Sequence, residues 1–208
     1  MAPAAGIDLY WLPLGAGGHS VRLNGRVYEH IVARRDGRRP LALYHSALVV
    51  TVDGEGYAIE TAPIRRGDDP GRGVVAEGAV GSAVLRPLSV FRYELRCWRG
   101  GRIPDVEEAV ESPRRLSSAE AAARRLLDLV PSVPMPVWGR DELGTGDMWN
   151  SNSVVAWLLA ASGLPAETIE PPAGGRAPGW RAGVAVARAS PAEAAPSAPG
   201  RGRAARPA

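Results

Sequence analysis

The stretch from Leu41 to Ala62 constrains this chain more than any other. Leu41 to Val52 is rich in Leu and Val, residues that pack well on a pleated surface. Asp53-Gly54-Glu55-Gly56 follows, a turn sequence that accepts positive φ, and Tyr57 to Ala62 returns. A hairpin of this kind demands an antiparallel sheet around it. Ile7 to Leu12 alternates about Tyr10 and Trp11 and supplies one neighbour. His19–Leu23 and Arg26–Ala33 flank Asn24-Gly25 and read as a second hairpin. Phe91 to Trp98 sets Phe91, Tyr93, Leu95 and Cys97 on one face and Arg92, Glu94 and Arg96 on the other. That pattern predicts a strand with one wet face.

Helical periodicity begins later. Ser117-Ser118-Ala119-Glu120 has the spacing of a capping box, and a stripe through Ala122, Leu126, Leu127, Leu129 and Val130 runs to Pro131. A Pro-rich loop carrying Trp138 follows. A second helix opens near Asn150-Ser151-Asn152-Ser153, continues through Val154, Val155, Trp157, Leu158 and Leu159, and stops at Gly163 and Pro165. Gly183 to Ala187 reads as a closing strand. The expected class is α+β: an antiparallel sheet with helices packed on one side. Residues 1–188 are expected to form one domain, and 189–208, rich in Ala, Pro and Arg, a disordered tail.

Composition narrows the function. No apolar run approaches the roughly 18 residues that span a bilayer. A single cysteine, Cys97, supports neither an internal disulfide nor a Cys-based zinc site, and mid-strand it reads as a small buried hydrophobe. The first residues lack the basic and apolar regions of a secretory leader, so the cytoplasm is the expected compartment. All 25 basic residues are arginines, and the net charge of +3 is carried from Val186 onward. The rest is balanced, which makes nucleic acid an unlikely partner. Gly15 to Gly18 lacks the Lys-Ser/Thr of a phosphate loop. Three scattered histidines without a carboxylate cluster predict no metal, and no cofactor is implied.

The chemistry-bearing residues are His45 on the strongest strand, Glu60 on its return, and the polar run at the second helix start. If Asp53-Gly54 is a two-residue turn, Val52 pairs with Glu55 and Glu60 falls opposite Ala47, diagonal to His45. A longer loop moves Glu60 opposite Val49. Both registers keep His45 and Glu60 on one face, and only the first brings them near hydrogen-bond reach. A nucleophile at a helix N-terminus gains from the dipole and from free backbone N–H groups that hold an oxyanion. Each residue also has a plainer role open to it: a core histidine bonded to backbone, a carboxylate facing Arg65 or Arg66, a helix cap.

Taken in order, Tyr44-His45, then Ile59-Glu60-Thr61-Ala62-Pro63, then Asn150-Ser151-Asn152-Ser153-Val154-Val155 resemble the circularly permuted papain-like hydrolases. That group includes the permuted NlpC-type peptidases, the PPPDE peptidases and the lecithin retinol acyltransferase-like enzymes. The resemblance spans roughly residues 41–163. It implies a permuted papain-like fold and a hydrolase or acyltransferase acting on an amide, ester or thioester bond of a small-molecule, peptide or lipid-like substrate. It assigns His45 as general base, Glu60 as the group orienting it and position 151 as nucleophile. Tyr44, Trp138, Trp149, Asn150 and Asn152 would line the substrate. The family has cysteine at the nucleophile position and this chain has Ser151, which needs full general-base help. A serine variant, an inactive enzyme kept as a binding module, and a reused fold are the three readings that follow.

Overall fold

A computed structural model describes residues 4–14, 29, 33–35, 37–64, 71, 73–85, 88 and 91–189. Of the hairpin expected around Asn24-Gly25, the described residues Glu29 and Ala33 are helical rather than strand; its remaining residues, with His19, His30 and the tail from Pro191, lie outside the described residues.

Six antiparallel strands form the main sheet. They are β1 (Gly6–Pro13), β2 (Ala42–Val52), β3 (Glu55–Pro63), β4 (Val74–Ala79), β5 (Arg92–Arg99) and β6 (Val110–Ser117), in the order β4-β5-β3-β2-β1-β6. A two-residue strand, β7 (Gly175–Arg176), runs parallel to the start of β2. Three α-helices follow the sheet: α1 (Glu120–Leu129), α2 (Ser151–Ala161) and α3 (Trp180–Ala189). The class is α+β. Among the described residues no helix is long and apolar enough to cross a membrane.

Strand periodicity sorts side chains onto two faces. Ile7, Leu9 and Trp11 of β1 join Tyr44, Leu48, Val50 and Val52 of β2, Ile59 of β3 and Leu95 of β5 in one core with the helices. Ala123 and Leu126 of α1, Val154 to Leu159 of α2, and Trp180 and Val184 of α3 complete it. The intervening positions form a smaller cluster on the other face: Leu12, Ala47 and Ala58, covered by Ile103, with Tyr10, Val49 and Trp98 at its margin.

The β2–β3 turn is the two-residue Asp53-Gly54, with Val52 paired to Glu55. The β2–β3 ladder runs from there to Leu48↔Ile59, while β3 goes on pairing with β5 as far as Pro63↔Tyr93. The two strands therefore part beside residues 44–47. That opening receives the first turn of α2.

Four expectations need correction. Gly183 to Ala187 is helical, not a strand. Val184-Ala185-Val186 mimics alternation, but Trp180, Gly183 and Val184 form a helical face against α2. Gly183 sits where α2 and α3 cross, and a Cβ there would lie 2.1 Å from the Ser153 carbonyl oxygen. The capping box at Ser117 does not form. Ser117 ends β6, and its hydroxyl accepts from Ala119 N (3.1 Å), so α1 starts at Glu120. The charged face of β5 is not wet: Glu94 is fully buried. The sequence reading also missed β4, β6 and β7. β4 has only two valines as signal, and β6 carries Pro113, which suits an edge strand.

Candidate functional site

The first turn of α2 is built from polar side chains used as structural groups. Asn150 is its N-cap in extended backbone, and its side chain accepts from Asn152 N at 2.9 Å. Ser153 Oγ accepts from Asn150 N at 3.1 Å and donates to Gly179 O at 2.7 Å. This closes a capping box of unusual composition. Asn150 Nδ2 donates to Pro178 O at 2.9 Å. Gly179 is required beside them. Its φ is +83°, and a Cβ there would lie 2.6 Å from both Asn150 Oδ1 and Ser153 Oγ.

Asn152 fills the opening in the sheet. Leu43 O accepts from Leu14 N on the β1 side, so Tyr44 O points toward the edge that β3 has left. Asn152 Nδ2 donates to Tyr44 O (3.0 Å) and to Pro178 O (2.9 Å), and its Oδ1 accepts from Ser46 Oγ (2.9 Å). A side-chain amide thus replaces the missing ladder bond. Both Asn152 and Ser46 are buried, so leaving any of these groups unmade is expensive.

Ser151 and His45 do not meet. Ser46 points at α2, and Trp11, its partner on β1, lies in the helix-side core. His45, one position earlier, pairs with Leu12, which belongs to the opposite cluster. The β1–β2 register is unbroken from Gly6↔Thr51 to Pro13↔Tyr44, so no bulge reverses the parity. The His45 side chain therefore stands on the face turned away from α2. Ser151 is 5% exposed, and among the described residues its hydroxyl makes no hydrogen bond.

Glu60 does not orient His45 either. It is buried and pairs with Arg96 (Nη1 to Oε1, 3.3 Å), the residue opposite it on β5. Arg96 Nε donates to Glu94 at 2.9 Å, so two buried carboxylates share one guanidinium. Arg65 and Arg66, the partners the sequence offers for Glu60, lie outside the described residues. The Asp105 carboxylate, at the start of a 3-10 turn, Val106–Glu108, acts on His45 through space. Burial pushes the His45 imidazole down to about 4, against the opposing pull of the Asp105 carboxylate. Desolvation keeps His45 neutral well below pH 7, with no catalytic partner among the described residues to raise its pKa.

The remaining expected residues serve the core. Trp149 is buried, with its backbone paired to Gly139 and Arg140. Trp138 packs edge-on against Tyr93, ring centroids 4.9 Å apart, and Tyr93 donates its hydroxyl to Pro136 O. The Tyr44 ring is buried and abuts Gly175, where a Cβ would lie 2.4 Å away. Cys97 is half-buried among apolar groups, and burial pushes its thiol up. Among the described residues no group of three His, Cys, Asp or Glu side chains is placed to hold a metal ion.

Comparison with protein-family models, with curated proteins and with solved structures finds no match to this chain.

Proposed function

We propose that the chain is a permuted papain-like α+β domain working as a non-catalytic binding module. The observation that carries this reading is the parity of β2: Ser46 faces the start of α2 and His45 faces away, so His45 cannot serve Ser151 as its base. The docking of α2 beside β2 supports the scaffold. The helix start that would present a nucleophile sits against the strand that would present a histidine, but Asn152 and Ser46 join them. An unassisted serine hydroxyl is a poor nucleophile near neutral pH.

The test is labelling of the full chain with a fluorophosphonate probe, read as the mass of the peptide that contains Ser151. The expected result is no adduct above the level of Ser151→Ala. Stoichiometric labelling that vanishes in Ser151→Ala and in His45→Ala would overturn the binding-module reading and restore the hydrolase.

A further inference from the structure

Among the described residues, the arginines are mostly committed. Arg92 pairs with Glu77, Arg99 with Glu55, Arg102 with Glu107, Arg115 with Asp8, Arg124 with Asp53 and Glu120, and Arg188 with Glu167. One segment departs from this pattern: the helical residues 33–35 and the turn and loop residues 37–40. Arg34, Arg35 and Arg39 are exposed and make no ion pair or side-chain hydrogen bond among the described residues. Elsewhere among the described residues, only the exposed Arg125 and Arg181, on separate helices, share that state.

The segment is anchored from beneath. Glu29 is 2% exposed and receives Arg38, the Leu41 backbone N–H (2.9 Å) and Arg176 Nη1 (3.1 Å). Arg38 N also donates to Ala33 O (2.9 Å). A buried carboxylate thus fixes the backbone that carries the free guanidinium groups. The ordering entropy that weakens most surface ion pairs is in part already met before any partner arrives. Leu41 is 36% exposed at the end of the same segment and adds an apolar neighbour.

We infer that Arg34, Arg35 and Arg39 form a docking surface for an acidic segment of a partner protein. Guanidinium forks match carboxylates bidentately, and arginine beside an exposed apolar residue is the composition of protein interfaces. Single-stranded nucleic acid fits less well, because among the described residues no aromatic side chain is exposed to stack a base. The inference stands whether or not Ser151 reacts.

Fluorescence anisotropy of a labelled oligoglutamate peptide with the full chain, at about 50 mM salt, tests it. The combined variant Arg34→Ser/Arg35→Ser/Arg39→Ser is expected to weaken binding about tenfold or more. Arg125→Ser/Arg181→Ser, and Arg201→Ser/Arg203→Ser/Arg206→Ser in the tail, are expected to change it less than about twofold. Unchanged binding by the combined variant would overturn the proposal. So would tighter binding of a single-stranded oligonucleotide of equal charge that the same combined variant abolishes.

Discussion

The two faces of the sheet solve the same burial problem with different chemistry. The helix face is apolar and continuous. Its polar insertions, Asn150, Asn152 and Ser153, are neutral groups bonded to backbone carbonyls and to Ser46. The opposite face has a smaller apolar cluster and buries charge, with Glu60 and Glu94 on Arg96, and it also carries the desolvated His45. Neutral amides keep their hydrogen bonds at any ordinary pH, whereas buried ions and an uncharged imidazole make their face sensitive to it. Adjacent residues of β2 belong to different regimes: Ser46 is a structural hydroxyl, and His45 is a titratable group beyond the reach of α2.

Removing Arg96 breaks the charged face most directly. Arg96→Met leaves two buried carboxylates without the cation between them, and a loss of about 3–5 kcal/mol is expected in urea unfolding at pH 7. On the helix face the corresponding lesion is Asn152→Ala. It strips the amide from Tyr44 O, Pro178 O and Ser46 Oγ, and about 3 kcal/mol should be lost with little pH dependence, by the same measurement.

A smaller effect distinguishes His45. Its folded pKa of about 4 lies below the ordinary 6.5, so between those values the unfolded chain binds more protons. Stability contributed by this site is complete above pH 6.5, falls as pH drops through that window, and levels off below about 4. The expected fall is about 2–3 kcal/mol. It should be missing from His45→Leu when the two proteins' unfolding free energies are compared across pH 4–7. An identical pH slope in both would contradict the placement of His45 in a desolvated site.

Much of this fold was legible in the sequence. The strand at Leu41–Val52, its two-residue turn and the Val52–Glu55 pairing follow from Val/Leu enrichment and Asp-Gly chemistry, which are local signals. The helix start at Asn150–Ser153 was equally local, because Asn and Ser are preferred caps. The failures share a nonlocal cause. Parity kept His45 and Glu60 on one face, but no local signal said which face the helices would cover. The choice was made by Ile7, Leu9 and Trp11 across the ladder. The wet face expected for β5 turned out buried because Glu60 arrived from β3 to meet Arg96. The closing strand failed for a related reason: Gly183 is defined by the backbone of α2, far away in sequence. The resemblance makes Asn152 a substrate contact, yet its bonds answer a gap in the sheet that only tertiary structure opens.

The central claim is that His45 gives no help to position 151. Ser151→Cys in a Cys97→Ser background places a single thiol there, and its alkylation rate against pH reports the thiolate directly. The expected profile is that of an unassisted, partly buried thiol, with its apparent pKa at or above about 8.5 and unchanged by His45→Ala. A profile shifted well to the acid side, and returned to the ordinary value by His45→Ala, would contradict it.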